Sequence, residues 1–455
     1  MKKSKGISNQ MDMLNGSIFD KILLFALPLA ISSILQQLFN SVDVAVVGRF
    51  ASSEALAAVG SNSSVISLLI NLFVGISVGA NVVIANYIGQ GKTEKIQDAV
   101  HTVMIISLIS GVFLLVLGLM IARPILEIMG TPENVIDLAV LYLHIYFLGM
   151  PFLMIYNFGA AVLRSKGDTK RPLYCLIISG VINACLNLLF VIVFKLSVAG
   201  VAIATVIADG VSAVLIIYFL MNEEETIRLR LNKLKIKKSE LIKVIKIGVP
   251  AGLQGVVFSV SNVCIQTAIN SFGSDVIAGY SAAIKLNTFA ITSFSTLGNA
   301  MSSYTAQNTG ARKLLRISEG LKAGIVMLIV VSLPFFIAYF VFPNSMMNIF
   351  VKSSETGIID VGRIFLKIVT PFYFVISAKL TFDGILRGAG RMRAFMASTF
   401  TDLLLRVILA YVFSYALNSE VGIWLSWPVG WTIAAVISAV FYFIYYKTTI
   451  KNGAN

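Results

Sequence analysis

Twelve apolar runs constrain this chain more than any other feature. They lie at residues 22–48, 55–87, 97–121, 136–162, 172–194, 198–221, 241–270, 277–306, 317–341, 362–387, 394–417 and 421–446. Each exceeds the roughly 20 residues that a helix needs to cross the hydrocarbon of a bilayer. In lipid the backbone must satisfy its own N–H and C=O groups, so runs of this length are expected to be helices. The longest ones require tilts or kinks. Of 455 residues, 57% are hydrophobic and 13% are charged, against nearer half and a quarter in a soluble domain. So little polar surface could not cover a soluble core, and the same figures exclude a disordered chain or a disulfide scaffold. Cys175, Cys185 and Cys264 lie within apolar runs and read as small core residues. Two histidines, His101 and His144, leave little material for a histidine metal centre. The expected fold is an all-α polytopic membrane protein.

The net charge of +14 is distributed by loop. The N-terminus, every second loop and the C-terminus hold 27 of the 36 Lys and Arg; the opposite loops hold six, and Lys285, Lys379 and Arg406 fall inside spans. That split predicts both termini on the cytoplasmic side of the cell membrane. The basic charge is thereby used by orientation, with no folded basic domain for nucleic acid. The start, MKKSKG, lacks a short apolar run with a cleavage site, so span one is expected to be retained. The longest charged stretch, residues 222–246, reads as a solvated cytoplasmic linker along the membrane face, with a sensor of lipid charge as the alternative. It separates a first lobe (22–221) from a second (247–446), with tails at 1–21 and 447–455.

The two halves resemble each other at an offset near 222. LPLAISSILQQLFNSVDVAVV (27–47) aligns with VPAGLQGVVFSVSNVCIQTAI (249–269), setting Pro28 over Pro250 and Asn40 over Asn262. Pro151 pairs with Pro371, LRSKGDTKRP (163–172) with LRGAGRMRAF (386–395), and Gly200 with Gly422. Six spans per half is an even number, so both repeats start on one side. They are expected to be parallel, related by a pseudo-two-fold axis along the membrane normal. Pro28 and Pro250 lie inside their spans, where proline removes a backbone hydrogen bond. They read either as static kinks or as hinges that bend during transport.

An ionisable group near the bilayer centre costs about 2.5–3.5 kcal/mol on insertion scales, so it needs a partner or a purpose. Asp43 in span one lies six residues, about 9 Å, from the span's outer end. Asn183 and Asn187 in span five share a helix face at i,i+4, and Asn187 and Thr205 of span six each lie about 12 Å from an outer end. A carboxylate, two amides and a hydroxyl thus converge on one depth, and Asn40 could join them from one turn before Asp43. These oxygen donors suit a small hard cation such as Na+, or a proton held by Asp43. The repeat sets Ile265 against Asp43 and Arg406 against Asn183, so the polar set has no copy in the second half. Interhelical packing is the competing reading. Asp209, one turn below Thr205, extends the same face. In the second half, Lys379 and Asp383, and Asp402 and Arg406, stand at i,i+4, with Lys285 alone in span eight. They read as internal salt bridges or as a charged cavity wall.

Motif lookalikes carry nothing. GISVG (75–79) lies within an apolar span and not on a strand-to-helix elbow. GKT (91–93) lacks the first glycine of a phosphate loop, where Asn86 stands.

The ordered set resembles the MATE (multidrug and toxic compound extrusion) transporters over about residues 20–446. It comprises Pro28 in span one, Asp43 four residues before Val47-Gly48, Asn183 and Asn187 in span five, and LRGAG (386–390) after span ten. The resemblance implies that the coupling Na+ or H+ binds at Asp43, with Asn183, Asn187 and Thr205 completing the site. Some members carry an acid in span seven, and residues 241–270 hold none. It further implies a monomeric antiporter, with no cofactor besides the coupling ion, that exports lipophilic and cationic compounds. The alternative is a flippase for a lipid-linked saccharide; an intramembrane enzyme or a passive channel is a weaker reading.

Overall fold

Helix is the only regular structure among the described residues, 12–223 and 226–451 of the computed structural model. The first eleven and last four residues of the expected tails, and Glu224 and Glu225 of the linker, lie outside them. The first half contains α1 (Ile18–Phe50), α2 (Ser53–Gln90), α3 (Thr93–Ile128), α4 (Glu133–Leu148), α5 (Met150–Ser165), α6 (Lys170–Leu188) and α7 (Ser197–Met221). The second contains α8 (Lys238–Asn270), α9 (Ser274–Gly310), α10 (Leu314–Phe336), the short α11 (Pro343–Met347), α12 (Thr356–Val369), α13 (Tyr373–Gly388), α14 (Met392–Leu417) and α15 (Val421–Tyr445). π-helical turns extend α6 over Leu189–Val193 and α10 over Ile337–Val341.

Among the described residues, nine of these helices are long and apolar enough to cross a bilayer, and α4 with α5 forms a tenth span bent by 48°. The remaining two expected spans are helical but more polar. Span eight is α9, which runs for 37 residues and buries Asn287, Ser293, Thr296, Ser302 and Ser303. Span ten is α12 and α13, joined by the 3-10 turn Thr370–Phe372 and carrying Lys379, Asp383 and Arg387. The two breaks have one cause. Pro151 stands at the start of α5 and Pro371 in the turn before α13; each lacks an N–H and crowds the carbonyl four residues back. These are the prolines that the repeat aligns.

The chain divides into two compact units, one of Leu27–Gly255 and the other of Met13–Ala26 with Val256 onward. The borders fall inside α1, two residues before Pro28, and inside α8, five residues after Pro250. The linker is also shorter than expected. Residues 238–246 already belong to α8, because Glu240 and Val244 are buried on one face and continue its packing.

In the N-terminal unit the first half of α8 lies against α2. A Cβ on Gly75 would stand 2.1 Å from Gly252 Cα, so only glycine allows this approach. Tyr87 Oη donates to Glu240 Oε2 at 2.5 Å across the same contact. The unit's core includes Met104, Phe147, Met154, Phe158 and Ile216. In the C-terminal unit, the residues leading into α1 are held by the end of α9 and the start of α10. Asn308 Nδ2 donates to Met13 O at 3.2 Å and Lys313 Nζ to Leu14 O at 2.9 Å. That core is aromatic, built on Tyr280, Phe294, Phe365, Tyr373, Trp424, Trp427 and Trp431.

Candidate functional site

The polar residues of α1, α6 and α7 meet in the N-terminal unit as a continuous hydrogen-bonded chain. Asn187 Nδ2 donates to Asp43 Oδ1 at 2.5 Å and to Asn183 Oδ1 at 3.1 Å. Asn183 Nδ2 donates to Thr205 Oγ1 at 3.3 Å, and Thr205 Oγ1 donates to Val201 O at 3.0 Å within its own helix. The i,i+4 spacing of Asn183 and Asn187 sets both amides on the face of α6 that meets α1 and α7. Asn183 and Asn187 are buried, and Asp43 and Thr205 are half-buried. One atom is left over: Asn187 Oδ1 is buried without a hydrogen-bond partner.

Asn40 is exposed on α1, and no hydrogen bond joins it to this chain among the described residues. Asp209 faces the break in span four, where a Cβ on Gly149 would stand 3.5 Å from Asp209 Oδ2. Asp43, Asp209, Tyr142 and Tyr146 lie within electrostatic range of one another. The two tyrosines, stacked at 5.8 Å, were not among the expected site residues. Tyr146 opens the YFLGMPF segment at the break between α4 and α5, and Tyr142 lies one turn before it.

In the C-terminal unit Lys379, Asp383 and Asp402 form a buried triad. Lys379 Nζ lies 3.1 Å from Asp383 Oδ2 and 3.5 Å from Asp402 Oδ2. Ser438 Oγ donates to Asp383 Oδ1 at 2.6 Å. The expected in-helix pairing of Asp402 with Arg406 is therefore corrected: Asp402 turns to Lys379 on α13. Arg406 instead places its guanidinium 4.4 Å from the ring centre of Trp427 and 5.2 Å from that of Phe258. Its Nη2 lies 3.5 Å from Asn262 Oδ1, a weak contact. Lys285 is exposed, with its ammonium 5.6 Å from the Phe350 ring.

The MatE family model matches twice, over residues 28–189 and 250–412, once in each half. A probable multidrug resistance protein of Bacillus subtilis, YoeA, is 30% identical over 424 residues, 90% of each chain. A probable multidrug resistance protein of Thermotoga maritima, NorM, is 24% identical over 415 residues, 89% of this chain and 88% of its own. Among solved structures, a MATE protein in the bent conformation superposes with a TM-score of 0.91 at 22% identity, covering both chains fully. An outward-facing multidrug resistance MATE transporter of the MOP superfamily gives 0.90 at 23%, again over both chains. These matches give the chain the twelve-helix, two-lobe fold.

Proposed function

The chain belongs to the MatE family, and on that footing we propose that it is a multidrug exporter of the cell membrane. It exchanges lipophilic and cationic compounds for Na+ or H+, with both termini in the cytoplasm. Asp43 is the group that takes the coupling ion. The observation that carries this reading is the unpartnered Asn187 Oδ1 beside an Asp43 carboxylate that already accepts from the same amide. A half-turn of that amide would direct its oxygen at Asp43, an arrangement that is stable only with a cation or a proton between the two oxygens. It would also free Asn183 Oδ1, giving an Na+ ion three oxygens from two helices. Loading thus converts Asn187 from donor to acceptor and reorganises the contact of α1 with α6.

Drug and ion would favour different lobe orientations, and ion entry shifts that equilibrium only by its differential affinity for the two states. Pro28 and Pro250, in the helices where the unit borders fall, serve as bending points in this scheme. Efflux from proteoliposomes with the Na+ and proton gradients imposed separately is the test. Acceleration by one gradient is expected, and equal rates with and without each gradient would sink the antiport reading.

A further inference from the structure

The segment between α7 and α8 is pinned to the protein. Ile227 and Leu229 are buried, and Leu229 N–H donates to Leu220 O at 2.9 Å. The chain then crosses α3, where Arg230 N–H donates to His101 Nε2 at 3.2 Å and Lys237 N–H to Thr102 Oγ1 at 3.0 Å. Lys237 Nζ also lies 3.6 Å from Asp98. These bonds fix a strap at a definite level. Thr102 is nine residues along α3 from Thr93, about 14 Å at 1.5 Å per residue. The outward-facing Leu108, Ile109, Val112 and Phe113 begin about 9 Å farther on. The strap therefore lies where the apolar band of α3 gives way to its polar end.

Its side chains match that level. Leu231, Leu234 and Ile236 are 56%, 41% and 43% exposed, an unusual density of bare aliphatic groups for a water-facing loop. They alternate with exposed Lys233, Lys235 and Lys238, and residues 226–239 contain no acid. In water the leucines would be misplaced, and in hydrocarbon the lysines would be. At the boundary both are satisfied, with aliphatic groups among acyl chains and ammonium groups snorkelling to phosphates.

We propose that the strap is a docking surface for anionic phospholipid, with Leu231, Leu234 and Ile236 in the acyl layer and Lys233, Lys235 and Lys238 on headgroup phosphates. It requires only that the chain spans the membrane, not that Asp43 couples an ion. The test is native mass spectrometry of the delipidated full chain with phosphatidylglycerol, phosphatidylcholine or soluble glycerophosphate. Wild type should retain phosphatidylglycerol in preference to phosphatidylcholine and lose that preference at high salt. Lys233→Gln/Lys235→Gln/Lys238→Gln should weaken phosphatidylglycerol retention at least about tenfold, given the per-charge attraction of an anionic surface. Leu231→Ser/Leu234→Ser/Ile236→Ser should weaken retention of both lipids. Equal retention of the two lipids by wild type overturns the proposal without any variant. So does a lysine variant that retains phosphatidylglycerol as wild type does, or full competition by glycerophosphate, which lacks acyl chains.

Discussion

Asp43→Asn keeps the shape of the side chain and removes its charge, so it isolates what the carboxylate contributes. That carboxylate receives the Asn187 amide at 2.5 Å. A hydrogen bond to a charged group contributes about 1.5–3 kcal/mol, and about 1.4 kcal/mol is a factor of ten. That bond favours the unloaded state by roughly 10- to 150-fold; loading must offset it by neutralising the carboxylate, a charge that asparagine does not carry, so the ion dependence should vanish. The assay is efflux of a fluorescent lipophilic cation from proteoliposomes under an imposed gradient, beside equilibrium binding of the same compound without one. Gradient-driven efflux should fall to the rate seen without a gradient while binding is retained. Asn187→Ala, which removes both the donor to Asp43 and the oxygen proposed to take the ion, should also impair efflux and shift its pH or Na+ dependence. Wild-type efflux by Asp43→Asn, at equal protein content and under the effective gradient, would refute the assignment.

Three further outcomes follow from packing and charge. Lys379→Met leaves Asp383 and Asp402 buried without their cation; breaking such a set costs about 3–5 kcal/mol, read as a lower Tm in detergent. Neutralising both acids in the same variant should recover part of the loss, and an unchanged Tm for the single variant would contradict the triad. Gly384→Ala would bring a Cβ to 2.2 Å from the Gly298 carbonyl oxygen, so α9 and α13 must separate, at about 1–3 kcal/mol for overpacking. A Tm equal to wild type would show that the approach is not so close. At the end of α7, burial raises the Glu223 pKa, but hydrogen bonds from Lys166 and Arg171 outweigh it and hold the group below the usual carboxylate range. Its stabilising contribution is present at neutral pH and is lost as pH falls through that depressed value. Glu223→Gln should accordingly flatten the acid limb of a Tm-against-pH profile, and superimposable profiles would exclude a stabilising role for the Lys166 and Arg171 contacts.

The site was legible wherever local spacing and depth determine contact. Asn183 and Asn187 share a face because a helix repeats at 3.6 residues, and the depth count brought Asp43 and Thr205 to them. Asn40 shows the limit of that reasoning, since it lies one turn from Asp43 on α1 yet is exposed and makes no hydrogen bond to the set among the described residues. Partner choice across helices was not legible. Asp402 could have paired with Arg406 one turn away, but Lys379 lies closer in space and Arg406 gains an indole face instead. The unit borders inside α1 and α8 were hidden for a related reason. A charged linker marks where the chain is wet, whereas the borders depend on close contacts such as Gly75 with Gly252. The start of α8 is hidden likewise: its lysines look like linker, while Val244 and Glu240 are buried on one face of the helix.

The two lobes share a plan and differ in charge bookkeeping, and that difference bears on which lobe would hold the proposed coupling ion. In the C-terminal unit each carboxylate of the triad already faces Lys379, and Ser438 takes a further lone pair of Asp383. An arriving cation would have to displace an ammonium that is itself buried. In the N-terminal unit, among the described residues, no Lys or Arg lies within ion-pair distance of Asp43, and its bound donor is a neutral amide that can turn. A cation or proton there neutralises a charge that nothing else neutralises, so its binding changes the local energy most. The repeat alignment gives the same asymmetry residue by residue: Ile265 stands where Asp43 would be and Arg406 where Asn183 would be, which removes the acid and installs a cation. On this account, neutralising Asp383 and Asp402 together with Lys379 should leave the ion dependence of efflux intact, whereas neutralising Asp43 abolishes it. Loss of ion dependence in the C-terminal triple variant, with its fold retained, would move the coupling site to the other lobe.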